Sequence, residues 1–169
     1  NLTGIRGIAP YAFYDCSSLT SVIIPDSVTN IEDSAFRGCV GLADEHGFVI
    51  VKDRLYDYCG DGGHVTIPNE VVSIGSYSFY GCDLLEGVTI PNSVTHIGEC
   101  AFSGTGLREV VVPMSVIKHE IPVFAECYWL QKAFIPLSLK EQVEKWNDNW
   151  GEFAYCSGDL EVTYYDTII

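Results

Sequence analysis

Thiols and imidazoles are the side chains of this chain that could support nucleophilic or metal chemistry. A thiol nucleophile needs a nearby base and a group that orients that base. His96 and Cys100 lie four residues apart, but they fall in an extended segment and the following turn, not on one face of a helix. His64, His96 and His119 lack the spacing from cysteines or carboxylates that metal sites use. We therefore predict no catalysis, no metal site and no cofactor.

Patterns that bind phosphate or calcium are incomplete in this sequence. The glycine-rich segment 60–63 does not lead into a helix, as a phosphate-binding loop does. The aspartates of residues 43–64 offer oxygens to a hard cation, but their spacing matches no calcium-loop signature. The sequence also lacks a Gly-x-Ser-x-Gly turn. We therefore expect neither a phosphate-binding loop nor a calcium site in these segments.

The charge balance restricts the possible partners. The formal net charge is −14, with only nine Lys and Arg among 169 residues. Nucleic acid and anionic membrane surfaces both require clustered positive charge, so we expect neither as a partner. No apolar stretch approaches the roughly 18 residues that span a bilayer, so direct membrane insertion is not expected. The scattered Asp and Glu favour solubility and are compatible with basic partners.

The elements that must position these side chains are copies of one repeat. Ile74 and Phe79 are followed 23 residues later by Ile97 and Phe102. The same apolar pattern recurs at Ile8, Phe13, Cys16, Leu19, Val22, Ile24 and Pro25, at Ile31, Phe36, Cys39 and Leu42, and at Phe124, Cys127, Leu130, Ile135 and Pro136. A fixed period in the twenties predicts a solenoid whose stacked coils bury their apolar sides against each other. About five coils fit between residues 5 and 136.

Each repeat is predicted to contain a main strand, a second short strand and a tight turn. Val22 and Ile24 show the two-residue period of a strand, and a proline ends its ladder. Phe13 belongs to a short helical or 3-10 turn, and residues 28–31 form the second extended piece. In the fifth copy, His119 stands where the first apolar residue should fall.

The segment 43–64 interrupts the second repeat. Its apolar stretches 48–51 and 55–58 flank a short polar turn, which predicts a β-hairpin. We expect this hairpin to project from the stack. Insertions in repeat proteins often lie on a binding face, so the hairpin is a candidate functional decoration.

The chain changes character after residue 136. Ser138 and Glu141 have the spacing of a capping box at the start of a helix. The helix itself is indicated by apolar residues at helical spacing, namely Leu139, Val143 and Trp146. Residues 151–156 are predicted to be a loop or a degraded repeat, and 160–164 a final strand. This segment would cap the stack, or Trp146 and Trp150 would form an aromatic binding site.

The cysteines are distributed in a pattern. Four of the seven occupy one repeat position, namely Cys16, Cys39, Cys82 and Cys127. We favour a ladder of small, buried, reduced side chains, for which free cysteine is well suited. Disulfides between neighbouring coils remain the alternative, since coils roughly 5 Å apart are within disulfide range. Cys59, Cys100 and Cys156 lie outside this position and are expected to pair or to be exposed.

The combined pattern resembles the BspA-like, or Treponema pallidum-type, class of leucine-rich repeat. It is carried by Cys39, Cys82 and Cys127, by Ile24-Pro25, Ile67-Pro68, Ile90-Pro91 and Ile135-Pro136, and by Ala12-Phe13, Ala35-Phe36 and Ala101-Phe102. The resemblance implies an α/β repeat solenoid, a right-handed leucine-rich-repeat coil with one short main strand per repeat. Residues 1–169 would then be a single domain, with repeats at 5–136, the insertion at 43–64 and a cap at 137–169. Asn1 falls partway through a repeat, so we expect a fragment of a longer protein.

The resemblance also implies a function. Members of this class are bacterial, less often protist, surface or secreted proteins that mediate adhesion or host interaction. We therefore expect a non-enzymatic extracellular module that binds a protein or glycoprotein of a host or neighbouring cell. The alternatives are a structural spacer and a targeting module attached to another, possibly enzymatic, domain.

The curved sheet of a leucine-rich repeat usually provides the binding surface, and its outward residues follow from strand alternation. They are Ser21, Ile23, His64, Thr66, Gly87, Thr89, Glu109, Val111, Lys132 and Phe134. Five strands about 4.8 Å apart would give a sheet roughly 20 Å wide, enough for a modest protein or glycan contact. We expect the apolar end, at Val111 and Phe134, to contribute most of the binding energy.

Overall fold

A computed structural model describes residues 4–145 and 151–167 of the chain. Its strands, numbered in chain order, form two rows along a coil. The main row consists of β5 (Gly63–Thr66), β7 (Leu85–Thr89), β9 (Glu109–Val111), β11 (Lys132–Pro136) and β12 (Glu161–Tyr165). The second row consists of β1 (Gly7–Ile8), β2 (Asn30–Ile31), β4 (Arg54–Tyr58), β6 (Ser73–Ile74), β8 (His96–Ile97) and β10 (Lys118–His119), and β3 (Phe48–Val51) pairs with β4.

Strands of successive coils pair in parallel. The main row contains the sheets β5-β7 and β9-β11-β12, and the second row contains β1-β2 and β10-β8-β6-β4-β3. The predicted solenoid is therefore confirmed, with about six turns rather than five. The additional turn is formed by residues 151–165, whose strand β12 pairs with β11 over five residues. The sequence predicts the strand, and of the two predictions for residues 151–156, a loop or a degraded repeat, the structure shows the repeat.

Stacked aromatic rings connect the coils through the core. Phe79, Phe102, Phe124 and Phe153 stack with centroid distances of 4.8, 5.6 and 6.0 Å and interplanar angles of 11–13°. Neighbouring main-chain groups also bond across coils, as where Phe79 N donates to Ala101 O at 2.8 Å. Each coil therefore covers the apolar side of the next, as the period requires.

The turn after each core phenylalanine passes through the left-handed region. Two residues beyond the ring, φ is positive in all six coils, at Asp15, Gly38, Gly81, Gly104, Glu126 and Tyr155. Glycine adopts this conformation without steric cost, which explains its use in three of the six coils. The predicted helical turns are single hydrogen-bonded turns here, such as the one closed by Cys16 N and Phe13 O at 3.1 Å.

The insertion is a hairpin, but its predicted projection from the stack is wrong. β3 and β4 pair antiparallel as expected, and β4 then pairs in parallel with β6 through Arg54 and Leu55. Tyr56 and Tyr58 are both buried, and they lie in different apolar clusters. The ring centroids of Tyr56 and Phe36 lie 5.5 Å apart. The ring centroid of Tyr58 lies 5.1 Å from that of Phe79 in the next coil. These apolar side chains are buried only if the hairpin becomes part of the stack.

The insertion also changes the first repeat. Residues 20–25, predicted as a main strand, are not assigned as a strand in the described structure. The next main strand along the chain is displaced to β5, and β5 pairs only with β7 among the described strands. Ser21 and Ile23 therefore lie outside the main row, and the Ile23 side chain is 88% exposed.

The segment after β11 packs on the core. A 3-10 helix, Leu137–Leu139, continues into the helix α1 (Lys140–Glu144), as the helical spacing of Leu139 and Val143 predicted, and both side chains are buried. The predicted capping box is not formed, since neither helix shows a side-chain cap bond in the described part of the chain. The reason is that Ser138 lies inside the 3-10 turn rather than at the start of the helix. Trp146 and Trp150 lie outside the described residues.

Candidate functional site

His96 and Cys100, the candidate pair for thiol chemistry, lie in an extended segment and a turn, as predicted. His96 lies in β8, where its Nδ1 is 2.7 Å from Thr95 Oγ1. Cys100 lies in the following turn with φ of 52°, and burial raises the pKa of its thiol. Within residues 4–145 and 151–167, no group of three or more His, Cys, Asp or Glu side chains is arranged to hold a metal ion.

The cysteine ladder has a specific hydrogen-bonding role. All seven cysteines are free thiols. The Sγ atoms of Cys39, Cys127 and Cys156 each donate to the carbonyl oxygen of the core phenylalanine in the preceding coil, at 2.9–3.1 Å. Thr105 replaces cysteine in the fourth coil, and its Oγ1 donates within that coil to Phe102 O at 2.8 Å, the same carbonyl that accepts from Cys127 of the next coil. The ladder therefore satisfies backbone carbonyls between coils.

Cys156 was expected outside the ladder, and this prediction is wrong. Its Sγ donates to Phe124 O at 2.9 Å, because residues 151–156 form a complete repeat turn. The hydrogen bond with Cys127, together with burial, raises the pKa of the Cys156 thiol. Burial likewise raises the pKa of Cys82 to about 11. The predicted burial is wrong for Cys16, which is exposed in the first coil, and Cys59 is exposed as well.

A buried polar pair lies between the fifth and sixth coils. His119 occupies the apolar position of its repeat, and its Nδ1 is 3.6 Å from Glu152 Oε1. Both side chains are at most 3% exposed. Glu152 Oε2 also accepts from Val123 N at 3.3 Å. The sequence showed an unusual histidine but gave no signal for its partner, which lies 33 residues later.

The outward residues of the five main strands form what we call the sheet face. Strand register aligns His64 with Gly87 and Thr66 with Thr89. It also aligns Glu109 with Lys132, and Val111 with Phe134. Most of the predicted binding residues are thus neighbours on adjacent strands, and Ser21 and Ile23 are the exceptions because they lie outside the row.

Strand β12 extends the sheet face beyond the predicted set. Glu161 aligns with Lys132, and Thr163 aligns with Phe134. Lys132 therefore lies between two acidic neighbours, Glu109 and Glu161, on adjacent strands. Opposite charges in register stabilise a sheet and leave a mixed polar row. The alternation of residues 160–164 was the available signal for these two residues.

A polar hollow lies at the insertion end of the sheet face. It has a volume of about 660 Å³ and is lined by residues 43–48, 59–61 and 64–66. His64 and Thr66 thus share one surface with the base of the hairpin. The His64 ring also covers Gly87, so a Cβ at that position would force the exposed His64 side chain to move.

An apolar hollow lies at the other end of the sheet face. Its volume is about 330 Å³, and its lining includes Thr89, Val111 and Met114. The Val111 and Met114 side chains are 41% and 44% exposed. Tyr165 forms part of the wall, and its hydroxyl donates to Val112 O. Apolar side chains are therefore accessible beside the half-buried Phe134.

Comparison with known proteins identifies the family. The sequence matches the BspA type leucine rich repeat region in six copies, over residues 3–44 and 49–158. The chain belongs to the BspA-type leucine-rich repeat family. This confirms the resemblance read from the Cys, Ile-Pro and Ala-Phe positions. BspA-type repeats are generally non-enzymatic binding modules, which supports a protein-interaction role.

Three solved bacterial structures are similar to this BspA-type chain. A leucine-rich cell surface protein from Faecalibacterium prausnitzii is 35% identical over 76% of this chain and 29% of its own, with a TM-score of 0.43. The pneumococcal vaccine antigen PcpA is 20% identical over 85% of this chain and 45% of its own, with a TM-score of 0.52. The T. pallidum leucine-rich repeat protein is 24% identical over 96% and 68%, with a TM-score of 0.40.

The BspA-type chain thus spans less than half the length of the first two of these proteins. Comparison with curated protein sequences gives no significant match. Among the residues described, no helix is long and apolar enough to cross a membrane.

Proposed function

We propose that this BspA-type chain is the protein-interaction module of a bacterial surface or secreted protein. It binds a protein of a host or neighbouring cell through the sheet face and its two flanking hollows. The family and the cell-surface protein among the similar structures support this setting. The net charge of −14 makes nucleic acid and anionic membranes unfavourable partners.

The observation that carries the proposal is the exposed apolar surface at the C-terminal end of the sheet face. Val111 and Phe134 are neighbours on β9 and β11, and Val111 also lines the apolar hollow with Met114. Apolar and aromatic side chains surrounded by polar residues typically contribute most to protein binding. The row of Glu109, Lys132 and Glu161 beside them supplies a polar rim.

The test uses the isolated chain on cultured host cells. Fluorescently labelled protein should bind to cell monolayers, and trypsin treatment of the cells should remove this binding because the ligand is a protein. The double variant Val111→Asp/Phe134→Asp should lose at least about ten-fold in affinity while its circular dichroism spectrum stays unchanged. The matched control is Ile117→Asp, which introduces the same charge at an isoleucine that is 68% exposed outside the main row.

Two results would count against the proposal. Equal binding by the double variant and the control would remove the sheet face as the site. Binding that resists trypsin but is lost after glycosidase treatment would replace the protein ligand with a glycan.

A structural spacer is the second candidate function. The observation that favours it is the stack of core rings that links the coils from Phe79 to Phe153. A spacer holds an adjacent domain at a distance and needs no ligand of its own. Absence of cell binding by the isolated chain, together with loss of function when coils are deleted from a longer parent protein, would favour the spacer.

A further inference from the structure

A second candidate site lies on the turn side of the coil. A groove of about 470 Å³ is lined by Tyr77, Tyr80, Glu99, Glu126 and Tyr155, together with small residues of the last three coils. None of its described lining residues belongs to a strand. We call it the turn-face groove, and it does not include any residue of the sheet face.

The groove is produced by a change in residue size at one repeat position. The residue after the core phenylalanine is Tyr14, Arg37 and Tyr80 in the first three coils, and Ser103, Ala125 and Ala154 in the last three. Small side chains therefore form the floor. The pair Tyr77 and Tyr80 stands at one end of this floor and Tyr155 at the other, with three core stacking steps between their coils.

One end of the groove already has an arginine on its aromatic wall. The guanidinium carbon of Arg37 lies 5.1 Å from the centroid of the Tyr77 ring and 5.8 Å from that of Tyr80. Both distances fall within the range of cation–π attraction. Arg37 belongs to the coil before these tyrosines, whereas the groove lies over the coils after them. The tyrosine pair thus holds one guanidinium on its outer side.

Each end of the groove also joins a tyrosine to a glutamate of the neighbouring coil. Tyr77 N donates to Glu99 O at 2.9 Å, and Glu126 N donates to Ala154 O, next to Tyr155, at 2.7 Å. Glu99 and Glu126 are exposed, and no Lys, Arg or His occurs among the described lining residues. Glutamates and aromatic rings that line the same groove, without a basic residue among the described lining, favour a guanidinium or ammonium group.

We propose that the turn-face groove binds a segment of a partner protein that carries two arginine side chains. One guanidinium pairs with Glu126 near Tyr155, and the other pairs with Glu99 near the Tyr77 and Tyr80 pair. Three stacking steps of 4.8–6.0 Å separate the two ends. Four residues of extended peptide cover about 13 Å, at about 3.3 Å per residue, which is somewhat shorter than the three steps together. The long arginine side chains bridge the difference. This site is independent of the sheet face, so either can fail without the other.

The experiment titrates the whole 169-residue chain with acetyl-Arg-Gly-Gly-Gly-Arg-amide by calorimetry in 150 mM salt. The neutral comparison is the same peptide with citrulline in place of both arginines, which keeps the shape and removes the charge. Tyr80→Ala and Glu126→Gln should each weaken binding of the arginine peptide about two- to five-fold. Ala154→Tyr, which fills the floor, should weaken it at least as much.

The chain supplies a matched control in its first coil. Tyr11 and Tyr14 pair at 5.7 Å and 68°, nearly the same geometry as Tyr77 and Tyr80 at 5.6 Å and 68°. Tyr14→Ala removes the equivalent ring outside the groove and should leave the Kd unchanged. Glu70→Gln, at an exposed glutamate outside both the groove and the sheet face, is the corresponding charge control.

Three outcomes would overturn the proposal. The first is equal affinity for the arginine and citrulline peptides. The second is an equal loss of affinity in the groove variants and the control variants, which would indicate unspecific attraction to an acidic protein. The third is an unchanged Kd in Ala154→Tyr. Circular dichroism of every variant verifies the fold, and Glu126→Gln remains informative if Tyr80→Ala does not fold.

Discussion

Replacing His119 with isoleucine tests the buried pair of His119 and Glu152 most directly. Isoleucine is the residue at the same position in four other coils, namely Ile8, Ile31, Ile74 and Ile97. By propensity and hydrophobicity alone, the change should stabilise the protein. The structure predicts the opposite, because His119 is the partner of a carboxyl group that is only 1% exposed.

The magnitude follows from what Glu152 loses. Its Oε1 has His119 Nδ1 at 3.6 Å and no hydrogen-bond partner in the described structure, whereas Oε2 keeps the bond from Val123 N. Removing one member of a buried pair typically costs about 3–5 kcal/mol of stability. The cost is smaller where one carboxylate oxygen keeps its hydrogen bond. We therefore expect His119→Ile to lower the free energy of unfolding by about 3 kcal/mol.

A double-mutant cycle isolates the interaction. Glu152→Gln keeps an acceptor for Val123 N and removes the carboxyl group, at an expected cost of about 1–2 kcal/mol. The double variant His119→Ile/Glu152→Gln should lose at least about 1 kcal/mol less than the two single changes together. Urea unfolding followed by circular dichroism measures all four proteins. A neutral or stabilising His119→Ile variant, or strictly additive losses, would refute the pairing.

Two further predictions concern the phenol and thiol groups. Burial raises the pKa of Tyr56 to about 12, so the folded protein keeps the proton that the unfolded chain releases near pH 10. The free energy of unfolding should therefore fall as pH rises from 10 to 12. In Tyr56→Phe, this fall should be smaller by on the order of 1–2 kcal/mol. Equal pH slopes in urea titrations of the two proteins would contradict this. For the thiols, brief labelling with iodoacetamide should modify the exposed Cys16 and Cys59 and spare the buried Cys39 and Cys127. Peptide mass spectrometry measures each site, and rapid labelling of Cys127 would show that the last coils are open.

The sequence allowed most of the coil to be predicted because each stacked position demands one residue type. Phe79 and Phe102 must have the same size and depth to stack at 4.8 Å, so the period is visible directly. Alternation along each strand then gave the rows that align Thr66 with Thr89 and Val111 with Phe134. These features depend only on local spacing.

Features that depend on which segments meet were not predictable in the same way. The hairpin contains the same apolar residues whether it projects or docks, and only the burial of Tyr56 and Tyr58 in two clusters decides the outcome. The sixth coil was predicted only as one alternative, a degraded repeat, because Tyr164 and Tyr165 stand where other coils have Ile-Pro. The turn-face groove is marked only by small residues such as Ala154, which carry no periodic signal.

The placement of Tyr56 and Tyr58 in separate clusters has a consequence for how the molecule opens. Two residues of one strand, β4, anchor two different interiors, one built from the first two coils and the other from the rest. Nearest-neighbour stacking means that each interior is stabilised by its own coils. Under pulling force or in mild denaturant, the amino-terminal part should melt first as a separate cooperative unit while the larger part persists. Amide exchange would then show a step in protection within β4, between the faster amides before Tyr56 and the slower ones after Tyr58.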